Sequence, residues 1–163
     1  MKKLFLCAAI AVLGLTSVNA QGSPNVGLSL GLITGDFSDG YSLNITLDAS
    51  YLWEVADKIE AGAATGYSHS ILDSDFSGDD TQFVPLAAAG RFNVSDEFVV
   101  GLDLGYAIGI NEGNDGGFYY APRVQYSVSE SLDVVAAYRG VSIDAGPVTV
   151  GFNTITLGVE LAL

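Results

Sequence analysis

Cationic side chains are scarce in this sequence. It contains 6 lysine and arginine residues against 19 aspartate and glutamate residues, so its formal net charge is −13. Proteins that bind nucleic acid need clustered lysine and arginine to neutralise phosphates, and this balance argues strongly against a nucleic-acid partner. An acidic chain with few lysines is typical of an exported surface, where divalent cations offset the negative charge.

Cysteine is also almost absent. Cys7 is the single cysteine, and it lies within an N-terminal segment that has the features of a cleavable signal peptide. Once this segment is removed, the remaining chain has no thiol. An exported protein is free to form disulfides, but this one would use none.

The N-terminal segment has the three regions of a secretory signal. Lys2 and Lys3 come first, an apolar run follows at residues 4–15, and the small-x-small sequence VNA ends the segment. The apolar run is shorter than the roughly 20 residues of a membrane-spanning helix. We therefore predict a signal peptide at residues 1–20 rather than an N-terminal membrane anchor.

Long apolar runs are missing from the rest of the chain. We predict one domain at residues 21–163, and it contains no apolar segment as long as a spanning helix needs. If this domain crosses a membrane, it must therefore do so with strands.

The domain does contain a repeated alternation of apolar and polar residues. In YSLNITLDASYLW, residues 41–53, every second residue is apolar or aromatic, and most residues between them are polar. This period of two predicts strands, and no segment has the 3.6-residue period of a good amphipathic helix. The predicted strands lie at about residues 26–32, 41–53, 58–71, 82–93, 98–110, 118–128, 131–142 and 149–163.

The two faces of the predicted strands differ in chemistry. The polar face carries many small residues, such as Gly62 and Gly66 in the third strand and Gly101 and Gly105 in the fifth. Isolated charges lie among them, whereas the apolar face has no Asp, Glu, Lys or Arg within the strands. Small side chains fit the narrow interior of an eight-stranded barrel, and a lipid-facing surface excludes charge. We therefore predict that the apolar face contacts lipid rather than a soluble core.

The connections agree with this orientation. Short turns are predicted at residues 54–57, 94–97 and 129–130. They alternate with loops that are longer on average and rich in Gly, Asp and Ser, at residues 35–40, 72–80, 111–117 and 144–148. Short periplasmic turns and longer external loops are typical of outer-membrane barrels. The fold predicted is all-β, an eight-stranded antiparallel up-and-down transmembrane β-barrel preceded by a cleavable signal peptide.

The C-terminus carries the most specific motif. Thr156, Gly158, Leu161 and Leu163 follow the pattern polar-x-Gly-x-x-hydrophobic-x-hydrophobic. With its eight strands, the whole domain resembles the small outer-membrane β-barrels of the OmpX and OmpA transmembrane-domain kind. In that family the pattern is the signal read by the barrel-assembly machinery, although Leu163 replaces the usual terminal aromatic residue.

This resemblance implies a location in the outer membrane and contact with outer-membrane lipid. It also implies a structural or surface-interaction role in adhesion or envelope integrity, without enzymatic activity. A host or envelope surface ligand would contact the exposed loops. The alternatives are a narrow-pore channel for ions or small solutes, and a soluble periplasmic lipocalin-like binding barrel.

Charged residues on the polar face are the first candidates for a functional site. In a narrow lumen they must pair, because an unpaired buried charge is costly. We predict that they form a salt-bridge network that plugs the interior, with a gated ion path as the alternative. These residues are Asp48, Glu60, Arg91, Asp103, Arg123, Asp133, Arg139 and Glu160.

The loop LDSDFSGDD resembles the start of a calcium-binding loop. Asp73, Asp75, Ser77 and Asp79 present oxygen atoms at alternate positions. The twelfth position from Asp73 is Val84 rather than glutamate, which excludes a complete EF-hand. A weak external Ca²⁺ or Mg²⁺ site is the alternative to a solvated acidic loop, and no other cofactor is expected.

His69 is the single histidine. Its neighbours on the same strand face are Tyr67 and Ile71, while Ser68 and Ser70 point to the other face. A hydrolase would need His with Ser and an acid in register, so we interpret His69 as an interfacial polar side chain rather than a catalytic one.

Two prolines interrupt predicted strands. Pro85 lies in the fourth strand and Pro122 in the sixth. A closed barrel has no free edge on which to place proline, so we predict bulges or frayed hydrogen bonds near the outer rim. A lateral opening for a lipid-like ligand is the less favoured consequence.

Overall fold

The structure is a computed structural model that describes residues 22–146 and 148–163. The predicted signal peptide at residues 1–20 lies outside the described residues. Within them, no helix is both long and apolar enough to cross a membrane. The one 3₁₀ helix of the described residues, Gly35–Gly40, follows the first strand. The strands are β1 Gly22–Thr34, β2 Tyr41–Ala56, β3 Ile59–Leu72, β4 Thr81–Asn93, β5 Phe98–Gly109, β6 Gly117–Ser129, β7 Leu132–Ala145 and β8 Val148–Ala162.

The eight strands form one closed antiparallel barrel. Each strand pairs with the strands next to it in the chain, and β1 closes the barrel by pairing with β8. The predicted fold class is therefore confirmed. Closure pairs both edges of every strand, so the barrel has no free edge to template aggregation.

The alternation places apolar side chains outside and small or polar ones inside. Leu30 on β1 and Leu157 on β8 are cross-strand partners, and they are 52% and 63% exposed. Asp103, on the inward face of β5, is only 4% exposed. An exposed belt of this kind suits lipid and not water, as expected of a transmembrane barrel.

The connections differ from the prediction most at two places, and three others are shifted by one residue. β2 continues to Ala56, so the turn lies at residues 57–58, not at 54–57, and Lys58 adopts a positive φ of 63° there. β7 and β8 continue to the pair Ala145 and Val148, so the predicted loop at residues 144–148 is wrong as well. In both cases ladder hydrogen bonds extend strands through residues that resemble turn formers in sequence.

The two prolines fray the ladder without shifting its register. β3 and β4 lack paired residues opposite Pro85, and the register is the same on both sides of the gap. β6 and β7 show the same kind of gap at Pro122. The predicted fraying is confirmed and no bulge occurs at either gap, although Pro122 lies near the middle of its strand rather than at the rim. The hydroxyl of Thr65 donates to the carbonyl of Pro85 at 2.8 Å.

The connections define two rims, which we name by their loops. The loop rim carries the 3₁₀ helix and residues 73–80 and 110–116. The turn rim carries residues 57–58, 94–97 and 130–131. These names are used below to place side chains along the lumen.

Candidate functional site

The lumen holds an ion pair that joins opposite walls of the barrel. Arg139 on β7 donates from Nη1 to Asp48 Oδ1 at 2.9 Å and from Nη2 to Asp48 Oδ2 at 2.7 Å. Its Nε donates to the Thr156 hydroxyl at 3.2 Å, and Nη1 also reaches the Tyr119 hydroxyl at 3.2 Å. The guanidinium is therefore held on both edges, in the two-pronged geometry that makes Arg–carboxylate pairs strong.

A second set of ion pairs lies closer to the turn rim. Arg91 Nη1 donates to Asp103 Oδ1 at 2.6 Å, and Arg123 Nη2 donates to Glu160 Oε2 at 2.5 Å. Arg123 Nη1 also lies 4.0 Å from Asp103 Oδ2, which links the two pairs. All four side chains are at most 5% exposed. We call the six residues of both sets the charge network: Asp48, Arg91, Asp103, Arg123, Arg139 and Glu160.

Gly101 makes room for this network. A Cβ atom on Gly101 would lie 2.6 Å from Arg91 Cδ and 3.0 Å from Arg123 Cγ. Both arginine side chains are buried against other residues and cannot easily withdraw. Gly101 therefore does more than fit a narrow interior, because its lack of a side chain leaves space for both arginine side chains.

Two of the eight predicted charges take little part in the network. Glu60 lies opposite Arg91 across β3 and β4, yet it has no hydrogen-bond or ion-pair partner among the described residues. Asp133 accepts one long hydrogen bond of 3.3 Å from Gln125. The sequence argument did not identify Gln125, which is buried and donates to Glu160 Oε1 at 2.9 Å. Gln125 lies two residues from Arg123 and on the same inward face of β6. This strand parity could have identified it from the sequence.

The half of the lumen nearer the loop rim is filled differently. Phe152 on β8 packs against Phe83 at 5.5 Å and Tyr41 at 5.3 Å between ring centroids, and against Phe37 of the 3₁₀ helix at 5.5 Å. The sequence argument identified no apolar packing here, although Phe83 and Phe152 have inward parity. We call the buried residues the apolar cluster: Ile33, Phe83, Ala107, Tyr119, Ala121, Val141 and Phe152.

Arg139 borders two small cavities in the described part of the lumen. One of about 20 Å³ is lined by Phe152, Tyr119, Thr46 and other residues of the loop half. The other, of about 10 Å³, is lined by Asp48 and Arg123 among others. Each volume accommodates no more than one or two water molecules, so neither is a bore for a solute.

The Asp73 carboxylate of the acidic loop is engaged in hydrogen bonds within the protein. Asp73 Oδ1 accepts from the amide of Asp75 at 3.1 Å, and Oδ2 accepts from the Ser42 hydroxyl at 3.0 Å. These contacts use the carboxylate to shape the loop, and they hold the pKa of Asp73 below its ordinary value. Across the described residues no group of three or more His, Cys, Asp or Glu is placed to hold a metal. The weak external metal site at Asp73, Asp75, Ser77 and Asp79 therefore stays a prediction.

His69 belongs to a hydrogen-bonded row at the loop rim. Its Nε2 lies 3.0 Å from Asp80 Oδ2 and its Nδ1 lies 3.1 Å from the Tyr67 hydroxyl. Asp80 Oδ1 accepts from the amide of Leu72 at 2.9 Å. Sequence reasoning missed Asp80. Because a phenol and not a serine completes the row, and every member already has a partner, the arrangement ties the loop to β3.

The predicted assembly motif is integrated into the folded barrel. Thr156 bonds to Arg139 and to the Ala137 carbonyl, and a Cβ on Gly158 would lie 2.2 Å from the Leu28 carbonyl oxygen. Leu161 and Leu163 are exposed on the apolar face. Thr156 and Gly158 therefore have packing roles in the folded barrel. These roles are independent of the predicted recognition of the motif by the assembly machinery.

Comparison with known proteins gives one family and several structural neighbours. The sequence model of the family described as "Outer membrane protein beta-barrel domain" matches residues 5–162. No curated protein sequence matches the chain. The solved structures described next are all under 25% identical to it, so they show the fold alone.

Three of these neighbours differ in what their descriptions say. Ail, the attachment invasion locus protein of Yersinia pestis, has a TM-score of 0.58 at 15% identity, covering 90% of this chain and 100% of that one. The N-terminal barrel domain of Pseudomonas aeruginosa OprF has a TM-score of 0.58 at 14% identity, covering 88% and 98%. PagL, described as an outer membrane enzyme, has a TM-score of 0.54 at 14% identity, covering 85% and 99%.

Proposed function

This chain belongs to the family of outer membrane protein β-barrel domains, and we propose that in the outer membrane it acts as a closed barrel with a structural and surface-interaction role. The observation that supports this proposal is the charge network. It spans the lumen between β2 and β7 through Asp48 and Arg139, and between β6 and β8 through Arg123 and Glu160. Cross-links between distant strands stiffen the barrel and occupy the volume that a solute would need.

The loop rim is the proposed interaction surface. Its exposed residues include Asp36 and Asp39 in the 3₁₀ helix, Asp75 and Asp79 in the next loop, and no Lys or Arg among the described loop residues. This surface repels anions and favours a cationic or cation-bridged partner at the host or envelope surface. The barrel wall contacts outer-membrane lipid, and the barrel-assembly machinery is the expected partner during insertion.

A cell that lacks the protein should be sensitive to detergent and should fail to bind the host or envelope surface that the loop rim contacts. We expect these two defects to be separable. The unmodified protein restores resistance to detergent and also restores binding to the target surface. A variant whose residues 73–80 are replaced by a neutral Gly-Ser loop of equal length restores detergent resistance only. Equal restoration of both properties by this variant would show that this loop has no part in the interaction.

The lack of a bore is tested by conductance. The purified protein, shown to be folded by a heat-modifiable band on a gel, is inserted into planar lipid bilayers in KCl. We expect no unitary current steps above the bilayer baseline. Regular ohmic steps from the unmodified protein would overturn the closed-barrel proposal.

A narrow pore is the second candidate function. The observation that favours it is that Arg139 borders both cavities, since removal of this guanidinium would enlarge each of them. This hypothesis expects a conductance that changes when Arg123 or Arg139 is replaced. An enzymatic role has no comparable support, because the row at His69 lacks a serine and all its members are engaged.

A further inference from the structure

Gly27 on β1 lies between two carboxylates of the charge network. It pairs with Asp48 of β2 on one side and with Glu160 of β8 on the other, so the three residues form one row on the inner wall. Asp48 belongs to the ion pair with Arg139. Glu160 belongs to the second set of ion pairs through Arg123. The two sets therefore meet at a residue that has no side chain.

A small cavity adjoins Gly27. Its volume is about 10 Å³, and its lining includes Gly27, Ser29, Asp48, Arg123 and Glu160. A Cβ atom on Gly27 would lie 3.5 Å from Asp48 Cβ and 3.7 Å from Glu160 Oε2, so the missing side chain leaves space between the carboxylates. The volume is close to the roughly 10–15 Å³ that one water molecule needs, and it excludes a larger ligand.

Two residues of the cavity wall carry buried polar atoms that lack a hydrogen-bond partner among the described residues. These atoms are Ser29 Oγ and Arg123 Nε, on residues that are 5% and 6% exposed. Buried polar atoms in folded proteins are nearly always hydrogen-bonded to protein or to ordered water. Leaving a buried donor unpaired costs its full desolvation energy. The cavity wall thus requires a partner of the size of water.

The chemistry of the wall selects water over an ion. Arg123 Nε can only donate a hydrogen bond, so its partner must accept one. A bare cation cannot accept, and an anion would be repelled by Asp48 and Glu160. Water accepts from Arg123, bonds to the Ser29 hydroxyl and donates to both carboxylates. These contacts give it the 2–4 hydrogen bonds that are typical of a buried water molecule.

We propose that one internal water molecule lies over Gly27 and bridges Asp48 to Glu160, so that the two sets of ion pairs act as one cooperative network. Polar groups that share a hydrogen-bond partner are coupled in energy. The inference deepens the structural role proposed above and rests on the charge network, but it does not depend on the surface interaction.

The water molecule is tested by NMR on the isotope-labelled, folded protein in deuterated detergent micelles. We expect a rotating-frame Overhauser cross peak between water and Arg123 Hε, with the sign of a dipolar contact and not of proton exchange. Gly27→Ala fills the cavity, and the cross peak should fall at least fivefold. The new methyl group lies 3.2 Å from the Val159 carbonyl oxygen at its closest, so a small shift accommodates it.

Two further variants complete this test. Gly90→Ala is the matched control, because it adds the same methyl group where the nearest atom is 4.0 Å away, and it should leave the cross peak unchanged. Exchange of the Ser29 hydroxyl proton is another source of such a signal, and Ser29→Ala removes it. We expect the signal to persist there, since Arg123 and both carboxylates still hold the water. Folding of each variant is checked by heat-modifiable gel mobility.

Three results would overturn the water site. They are a signal that survives in Gly27→Ala, a signal that disappears in Ser29→Ala, and no signal in the unmodified protein. The closed barrel itself is tested by conductance, so that proposal holds or fails independently of the water molecule.

The bridge between the two sets is tested by a double-mutant cycle. Asp48→Asn and Glu160→Gln are made singly and together, and the equilibrium constant of unfolding is measured in denaturant. We expect the two effects to be non-additive by at least fivefold, and this factor to be at least threefold smaller in a Gly27→Ala background. Direct electrostatic interaction between the two sites is present in both backgrounds, so the difference reports on the water. Equal factors in the two backgrounds would mean that no water bridges the sets.

Discussion

The two halves of the lumen are filled by different interactions. Near the loop rim Phe152 contacts three aromatic rings at 5.3 to 5.5 Å, a contact that tolerates small changes in distance and angle. Towards the turn rim each buried guanidinium meets a carboxylate in a fixed geometry. Apolar packing should therefore absorb a substitution that the charge network cannot, because an unpaired buried charge has no substitute partner.

The largest effect is expected from breaking the ion pair across the barrel. Asp48→Ala leaves Arg139 buried without its carboxylate, and we expect a loss of about 3–5 kcal/mol in the free energy of unfolding. Denaturant unfolding in lipid vesicles, followed by the fluorescence of the single Trp53, measures this loss. Asp133→Ala is the control, since that carboxylate is half-buried with one 3.3 Å contact, and it should cost less than about 1 kcal/mol. Equal losses of unfolding free energy in the two variants would show that charges inside and outside the charge network contribute alike to stability.

The next effect comes from adding volume between the arginines. In Gly101→Ala the new methyl group lies 2.6 Å from Arg91 Cδ, and overpacking of this kind costs about 1–3 kcal/mol. Gly90→Ala is a matched control on the neighbouring strand, where the nearest atom is 4.0 Å away, and it should stay within about 0.5 kcal/mol of the unmodified protein. If both variants unfold alike under denaturant, the arginines adjust freely and the network is not rigid.

A smaller effect is expected in the apolar cluster. Phe152→Leu keeps an apolar side chain of similar size and loses mainly the ring contacts, so we expect a cost of about 1 kcal/mol. Phe76→Leu, at an exposed ring on the neighbouring loop, should change the free energy of unfolding by less than about 0.5 kcal/mol. A loss at Phe152 as large as that of Asp48→Ala would show that both halves of the lumen are equally intolerant.

The smallest effect is a titration outside the membrane. The amide of Asp75, and then the Ser42 hydroxyl, hold the pKa of Asp73 below its ordinary value. A lowered pKa in the folded state stabilises the fold above the unfolded pKa, and this contribution disappears as the pH falls through the folded pKa. We expect carboxyl-carbon NMR to give a low midpoint for Asp73 that rises in Ser42→Ala. Thr149→Ala, which removes a similar contact with Asp144, should leave the midpoint of Asp73 unchanged.

Most of the fold could be predicted because period-two alternation is a local signal. Residues such as Leu102 and Leu104 on β5 point outward by parity alone, and the structure confirms their exposure. The turns at 57–58 and after Ala145 were misplaced because ladder hydrogen bonds extend strands through residues with weak strand preference. Parity and charge identified all six residues of the charge network, together with Glu60 and Asp133, which take little part in it. They did not identify its pairing, since Glu60 and Asp103 are equivalent in sequence and only Asp103 meets Arg91.

Residue types and their order along the chain were sufficient to predict a barrel with eight strands, an apolar outer face and charges inside. These properties follow from residue type and strand parity, which depend only on neighbours in the chain. The folded barrel was needed to show which carboxylate each arginine binds, that Phe152 contacts Phe37, and that the two halves of the lumen are filled differently. Those contacts join residues on strands distant in sequence, such as Asp48 and Arg139, and the stagger of the closed barrel determines which of them lie at the same height.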